Sequence, residues 1–304
     1  MTASCNACGG PLSPRFEAVV DPQSGERFRI DACAQCGLGQ TLPQPDELGR
    51  YYGPEYHGGR HGATAAYCAR RRTRFVGAAA GEARGRSILD VGCGDGTFLL
   101  AAAAQGWKPF GTEMNPAIAR GAGLEVFETL EEAAGRAPFA CATLWHSLEH
   151  LRDPRGALER LRPMLAPGGV VLISVPNARG FQARLFGPRW FHLDVPRHLF
   201  HFGDRALTGL LDRTGFEVTR RWHQELELDL FGWAQSALNR VLPTPNVFFY
   251  HLTHRPTRAG AGQVFASYAL GSALTAAAFP ATAVSTLAGE GGTLVVAARP
   301  KGAA

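Results

Sequence analysis

The sequence lacks the N-terminal signature of a secreted protein. Its first residues, Met-Thr-Ala-Ser-Cys, contain no basic flank followed by an apolar run, so we expect no signal peptide and a cytoplasmic location. Its seven cysteines are an odd number, which argues against a disulfide framework and in favour of free thiols and metal ligands.

A large charge of either sign is also absent. The 31 Lys and Arg residues face 26 Asp and Glu residues, which gives a net charge of +5. This value fits a solvated surface and does not by itself indicate a nucleic-acid partner. A chain of 304 residues has room for one α/β domain of about 200 residues with additions.

The glycine-rich segment 87–100 lacks the sequence pattern of a dinucleotide-binding site. A short apolar run, a turn with three glycines and an Ala-rich stretch predict a buried strand, a sharp turn and a helix. A dinucleotide fingerprint counted from Gly92 would need glycine where Thr97 stands, so that pattern fails. The glycines can still adopt positive φ and let a ligand approach the backbone. The first N–H groups of the helix would attract an anionic group.

The motif that does stand there is Asp90-Val-Gly-Cys-Gly-Asp-Gly96, and Glu113 ends the next strand pattern, 23 residues after Asp90. A carboxylate at that position can accept hydrogen bonds from both hydroxyls of a ribose. A structural turn beside a solvated glutamate is the alternative. The combination resembles the first motif of the class I S-adenosylmethionine-dependent methyltransferases. The resemblance implies S-adenosylmethionine as cofactor, bound by Asp90, Gly92, Cys93, Gly94, Gly96, Glu113, Met114 and His146.

Strand and helix patterns alternate through the rest of the chain. Strands are predicted at 87–91, 108–112, 124–127, 139–145, 169–175, 216–223 and 293–297. Seven strands with interleaved helices predict an α/β, doubly wound sheet with its ligand at the carboxyl ends of the strands. The resemblance implies a Rossmann-like methyltransferase sheet of order 3-2-1-4-5-7-6.

Later segments narrow the resemblance to one type of methyltransferase. Residues 144–154 and 166–177 are similar to later family motifs, and residues 191–202 and 207–216 resemble the Methyltransferase-23 type, related to quinone-biosynthesis O-methyltransferases. This implies a small-molecule or lipid-like acceptor methylated at oxygen. An RNA methyltransferase and a non-catalytic S-adenosylmethionine-binding protein are the alternatives. An Asn-Pro-Pro-Tyr type tetrapeptide, used on exocyclic base nitrogens, is missing where Trp145-His-Ser-Leu stands.

Histidines are concentrated after the fourth and fifth predicted strands. A hydroxyl acceptor must lose its proton, and histidine is suited to accept it near neutral pH. We expect His198, within Pro196-Arg197-His198, to be the base, with His146 and His150 as further candidates. The string His146-x-x-Glu-His150 could instead hold a divalent cation that orients the hydroxyl.

Two matching cysteine knuckles begin the chain. Cys5-x-x-Cys8-Gly and Cys33-x-x-Cys36-Gly are separated by 24 residues, a spacing at which four thiolates close a tetrahedral zinc site. The segments 15–20 and 27–30 predict a β-ribbon between them. We expect residues 1–42 to be a zinc ribbon with a structural zinc ion, because four protein ligands leave no open position. A redox role is the alternative.

Residues 43–86 are expected to be a linker with a helix at 63–80. We interpret the basic run 70–74 as a solvated helix face rather than a nucleic-acid site. The tyrosine cluster Tyr51-Tyr-Gly-Pro-Glu-Tyr56 resembles an element near the cofactor entrance in related zinc-ribbon methyltransferases. Tyr56 and the adjacent His57 are therefore candidates for a lid.

The methyltransferase domain is expected to span 87–304, with an insertion at 225–290. Residues 264–289 contain no charge over 26 positions, a length that could cross a membrane. The last strand must return to the same sheet, however, and Pro280 interrupts the run. We therefore expect a helical cap that gives the acceptor an apolar pocket, with peripheral membrane contact as the alternative. The oligomeric state is not predicted.

Overall fold

The structure is a computed structural model that describes residues 4–52, 64–81 and 86–302. The chain forms two compact units. The first unit contains residues 1–55, 176–207 and 222–294, and the second contains residues 56–175, 208–221 and 295–304. The N-terminal segment therefore shares a unit with the segments that follow the fifth and sixth predicted strands.

From residue 87 to residue 222, strands and helices alternate in the order that the sequence predicts. The strands are β1 (Leu12–Val20), β2 (Arg27–Cys33), β3 (Gly39–Leu42), β4 (Ser87–Val91), β5 (Lys108–Thr112), β6 (Glu125–Phe127), β7 (Phe139–Trp145), β8 (Leu165–Pro176), β9 (Phe200–His201), β10 (Phe216–Trp222) and β11 (Thr293–Pro300). The helices are α1 (Ala65–Ala80), α2 (Thr97–Ala103), α3 (Ala117–Gly121), α4 (Leu130–Ala133), α5 (Pro154–Leu161), α6 (Phe181–Phe186), α7 (Asp204–Arg213), α8 (Leu226–Val241), α9 (Val247–Leu252), α10 (Ala261–Ala277) and α11 (Phe279–Leu287).

A seven-stranded sheet is the centre of the second unit. Its order is β10-β11-β8-β7-β4-β5-β6, which is the expected order read from the opposite edge, so the prediction is confirmed. Strand β4 lies inside the sheet, and Ile88, Leu89 and Val91 are buried, as expected for an apolar run in a parallel sheet. Because β4 pairs in parallel with β5 and β7, the carboxyl ends of all three strands meet at one edge.

The basic run 70–74 in α1 is not exposed to solvent along its whole length, in contrast to the sequence-based prediction. Arg70 and Arg74 are exposed, but Arg72 is buried, and its guanidinium lies 5.2 Å from the ring centroid of Trp145. The interpretation of 70–74 as a solvated face is therefore wrong for Arg72. The reason is helical spacing, because Arg72 is four residues after Cys68 and four before Val76, on the face that is buried.

The predicted β-ribbon is present in the first unit and is part of a larger sheet. Strands β1 and β2 pair antiparallel, and β3 adds to β2. The fourth strand is β9, which pairs antiparallel with β3 through Gly39 and His201 and through Gln40 and Phe200. The N-terminal ribbon is thus completed by a strand from 160 residues further along the chain.

One apolar cluster joins the three segments of the first unit. Phe28 and Ile30 of β2 pack in the same cluster as Phe186 and Trp190, with Trp233 of α8 against it. Each segment alone is too short to bury such side chains, so the ribbon depends on the two later segments for its core.

A buried ion pair holds the ribbon turn to the segment after β8. Arg197 lies 3.0 Å from Asp21 and 2.7 Å from Asp194, and the Arg197 and Asp21 side chains are 3% and 0% exposed. Asp21 also accepts the backbone N–H of Ser24 at 3.0 Å. Arg197 thereby links residues 176 positions apart.

The insertion at 225–290 is helical, as predicted, and consists of α8 to α11. Within the described ranges, no single helix combines the length and apolarity needed to cross a membrane. Helices α10 and α11 meet that test only when taken together, and they are bent by 45°.

The buried ion pair predicts a large loss of stability in Arg197→Met. The substitution leaves the Asp21 carboxylate buried without its guanidinium partner, which costs about 3–5 kcal/mol. We expect a clear fall in the urea midpoint of unfolding. The control is Lys301→Met, which removes the exposed pair between Lys301 and Asp212 and should change the midpoint little. Equal midpoints for the two variants would contradict the role given to Arg197.

Candidate functional site

The turn after β4 requires glycine at three positions. Gly92, Gly94 and Gly96 have φ values of 77°, 57° and 80°, which L side chains rarely adopt. A Cβ on Gly92 would lie 2.8 Å from the Cβ of Ser147, and one on Gly96 would lie 2.3 Å from Cδ1 of Leu124. At Gly94, leaving aside its chain neighbours, no described heavy atom lies within 4 Å of that position. The backbone is therefore accessible to a ligand at Gly94.

Backbone hydrogen bonds fix this turn against the end of β5. The N–H groups of Gly92 and Cys93 donate to the carbonyl of Thr112 at 2.8 and 3.0 Å. The N–H of Gly94 donates to Oε2 of Glu113 at 2.9 Å. The register of the two strands, in which Val91 is opposite Thr112, places Glu113 beside the turn. Two of the sequence-predicted elements, the glycines and the acid, are therefore brought together.

Asp90 lies beneath the turn. It is 3% exposed, and its Oδ1 accepts the hydroxyl of Thr143 at 2.6 Å. Burial raises the pKa of Asp90 to about 7, although the Thr143 hydrogen bond and the charge of Arg72 lower it. Its carboxyl group can therefore change charge close to neutral pH.

His146 holds the loop after β7 in a constrained conformation. Its φ is 53°, which is uncommon for a residue other than glycine. Its N–H donates to the carbonyl of Ser174 at 2.9 Å, its Nε2 lies 3.2 Å from the Ser174 hydroxyl, and its Nδ1 lies 3.5 Å from the buried carboxylate of Glu149. The next residue, Ser147, lies against Gly92. The predicted residue His146 is therefore at the same edge as the glycine turn.

The remaining predicted site residues are His150, Met114, Tyr56 and His57. His150 ends a short 3-10 turn, Leu148–His150, so the string from His146 to His150 does not lie on a long helix of the metalloprotease kind. Met114, next to Glu113, is 73% exposed. An exposed methionine offers an adaptable apolar surface. Tyr56 and His57 lie outside the described residues.

His198 is in the first unit and is part of a polar network. Its ring is 7% exposed and its Nε2 lies 3.9 Å from Asp194. Its Nδ1 donates to the carbonyl of His192 at 2.9 Å, because a carbonyl can only accept. The hydroxyl of Thr41 donates to the carbonyl of His198 at 2.6 Å and accepts from Nε2 of His201 at 2.9 Å. Its role as a base stays a prediction.

The four N-terminal cysteines form one cluster, as their spacing predicts. The Sγ atoms of Cys5 and Cys36 are 3.5 Å apart, and those of Cys8 and Cys33 are 3.4 Å apart. All four sulfur atoms lie within 4.8 Å of one another. Each knuckle is closed by the same backbone hydrogen bond. The N–H of Gly9 donates to the carbonyl of Cys5 at 2.8 Å, and the N–H of Gly37 donates to the carbonyl of Cys33 at 2.9 Å.

This chain is similar in sequence to known methyltransferases. A family model described as a methyltransferase domain, Methyltransf_23, matches residues 60–221, slightly more than half of the chain. A ubiquinone biosynthesis O-methyltransferase of Alkalilimnicola ehrlichii is 27% identical over 210 residues, which cover 62% of this chain and 82% of that protein. The protein of the same name from Cronobacter sakazakii is 30% identical over 140 residues, covering 41% of this chain and 58% of that protein. A solved S-adenosylmethionine-dependent methyltransferase of Archaeoglobus fulgidus is 15% identical with a TM-score of 0.49, covering 79% of this chain and 96% of that one.

The raised pKa of Asp90 predicts a pH-dependent effect of Asp90→Asn on stability. An exposed Asp has a pKa of about 3.9, so between about pH 4 and pH 7 the unfolded chain gives up this proton before the folded protein does. The stabilising contribution of protonated Asp90 is therefore lost as the pH rises through this window. Because Asn cannot ionise, the melting temperature of the variant relative to the parent should rise from about pH 5 to about pH 8.

The shift corresponds to at most about 4 kcal/mol, since one pKa unit is worth about 1.4 kcal/mol. Asp212→Asn is the control, because Lys301 lowers the pKa of Asp212 and this carboxylate stays charged across the same window. A difference between Asp90→Asn and the parent that is the same at both pH values would show that the pKa is not raised.

Proposed function

We propose that this chain, which belongs to the Methyltransf_23 family of methyltransferase domains, moves the methyl group of S-adenosylmethionine to an oxygen atom of a small, partly apolar acceptor. It is an S-adenosylmethionine-dependent methyltransferase, as its family shows. The observation that carries the cofactor site is the contact between Gly94 and Glu113, at a glycine turn whose backbone is accessible.

The residues at the end of β4 fit S-adenosylmethionine. Space beside Gly94 lets a ligand approach the backbone, and the partly exposed Glu113 carboxylate can accept from both ribose hydroxyls. The exposed side chain of Met114 offers an apolar face for the adenine ring. Asp90, beneath the turn, supplies negative charge for the positively charged methionine end once it is ionised. The cofactor supplies a methyl group bound to a positively charged sulfur, and the protein's part is to position and dehydrate the reacting pair.

Glu113→Ala should weaken cofactor binding strongly. The variant loses hydrogen bonds between a charged carboxylate and two hydroxyls, each worth about 1.5–3 kcal/mol. We expect the dissociation constant for S-adenosylmethionine, measured by titration calorimetry, to rise about 100-fold or more. Glu128→Ala, which changes an exposed glutamate just past the neighbouring strand β6, is the matched control and should bind normally. Normal binding by Glu113→Ala would refute the site.

An oxygen acceptor is supported by two relatives named ubiquinone biosynthesis O-methyltransferase. Their name describes those proteins, and the alignments cover 62% and 41% of this chain, so the acceptor is a proposal here. Transfer to a hydroxyl needs a base. We propose His198 for this role, because its side chain is buried. His146 and His150 are the other candidates, because they follow strand β7 directly.

The variant His198→Asn distinguishes a role of His198 as the base from a purely structural role. The asparagine amide can donate to the His192 carbonyl, as Nδ1 of His198 does, but it cannot accept a proton. If His198 is the base, methyl transfer should fall by about 100-fold or more, with unchanged cofactor affinity and melting temperature. Transfer is measured as label moving from methyl-labelled S-adenosylmethionine into fractionated cell extract.

The variants His146→Asn and His150→Asn, measured beside it, would identify the base if His198→Asn keeps full activity. Cofactor binding without transfer to any fraction by the parent protein would contradict the enzymatic assignment and support a non-catalytic binding protein.

We also propose that the cysteine cluster holds a structural zinc ion. Four sulfur atoms at about 2.3 Å from one zinc ion are about 3.8 Å apart, and the observed Sγ distances of 3.4 Å to at most 4.8 Å agree with that spacing. Cys5, Cys8, Cys33 and Cys36 would be its ligands, and zinc would fix both knuckles of the ribbon.

Metal analysis of the reduced, freshly purified protein should give about one zinc ion per chain. Cys33→Ser should lose the metal and lower the melting temperature. Cys68→Ser, which changes another buried cysteine, should keep it. Absence of zinc from the parent protein would remove this proposal without affecting the cofactor site.

A further inference from the structure

Helices α10 and α11 have an inverted distribution of side chains. Their buried positions carry small residues, which are Ser267, Gly271, Thr282 and Ser285. Ala278, between the two helices, is also buried. Their large apolar residues point outward: Phe265 is 75% exposed, Phe279 52%, Val284 68% and Leu287 88%. A helix at the surface of a water-soluble domain has the opposite arrangement, with its apolar stripe toward the core.

The small buried residues allow close packing against the helices beneath. Helix α10 packs on α8 and α9, and a Cβ on Gly271 would lie 2.5 Å from the ring of Phe248. Close packing through small residues with large apolar residues facing away is the arrangement of helices in contact with lipid. The exposed apolar residues lie on two successive helices, and the sequence has no charged residue between 264 and 289. Isolated exposed apolar residues, in contrast, are ordinary.

The insertion that carries this apolar surface has arginines and no acidic residue between Asp229 and Glu290. Arg240 and Arg258 are exposed, as are His251 and His254. The ring of His251 lies 5.4 Å from that of Tyr268 on α10. A groove of about 470 Å³ between them is lined by His251, Ala259, Ala261, Val264, Phe265 and Tyr268. A positive rim beside an apolar surface is complementary to anionic headgroups over acyl chains.

The path of the chain excludes a membrane crossing by the insertion between β10 and β11. Strand β10 ends before α8, and β11 begins at Thr293 in the same sheet, so the segment must leave and return on one side. The 45° bend between α10 and α11 likewise suits helices that lie along an interface.

We propose that the outward surface of α10 and α11 binds the surface of an anionic lipid bilayer. Phe265, Phe279 and Leu287 enter the boundary between headgroups and acyl chains, while Arg258 and Arg240 contact the headgroups. A second copy of the chain is a poorer occupant, because it would bring a surface of the same positive sign. The inference goes beyond the proposed reaction and holds whichever acceptor is methylated.

Vesicle flotation of the full chain tests the proposal. We expect binding to vesicles of phosphatidylcholine with phosphatidylglycerol, weak binding to phosphatidylcholine alone, and loss of binding at high salt. Phe265→Glu combined with Leu287→Glu should lower the partition coefficient at least tenfold. Leu100→Glu, at a leucine that is 44% exposed on α2, is the matched control and should bind as the parent does.

Several results would overturn the proposal. These are no flotation with anionic vesicles, equal binding to both vesicle types, or equal binding by the double variant and the parent. Sedimentation velocity provides a separate check, because a parent dimer that the double variant dissociates would assign the surface to a second copy. Cofactor affinity of the double variant should equal that of the parent, so a failed lipid test leaves the proposed function standing.

Discussion

The proposed cofactor site depends on a backbone constraint at three glycines. Gly92, Gly94 and Gly96 adopt φ values that other residues avoid, and at two of them a Cβ would collide with a neighbouring side chain. Only this conformation lets the chain turn from β4 into α2 while the N–H groups of the turn reach β5 and Glu113. The parallel register of β4 and β5 then fixes which acid stands beside the turn, and everything proposed about the cofactor follows from that pairing.

Much of the second unit could be predicted because its signals are local. The strands from β4 to β7 lie within one residue of their predicted bounds, since a short apolar run followed by a glycine turn is encoded by neighbouring residues. The glycine turn, Asp90 and Glu113 are brought together for the same reason. The error at Arg72 shows the limit of this reasoning, because a run of arginines does not reveal which of them falls on the buried face of its helix.

The first unit could be predicted only in part, because its essential contacts join distant segments. The zinc-type spacing of the cysteines and the hairpin between them are local and were found in the sequence. The pairing of β3 with β9 and the contact of Arg197 with Asp21 connect residues about 160 and 176 positions apart. No periodicity or turn signal reports such pairs. The motif Pro196-Arg197-His198 therefore predicts a base at His198 and does not reveal the structural role of Arg197. That role makes the ribbon an integral part of its unit.

A structure of the complex with S-adenosylhomocysteine would decide whether the cofactor binds at the end of β4. We expect both ribose hydroxyls to lie within hydrogen-bonding distance of the Glu113 carboxylate and the amino-acid end to lie over the turn at Gly94. A ligand found elsewhere, or a turn covered by side chains with Glu113 still bonded to Gly94 alone, would contradict this expectation.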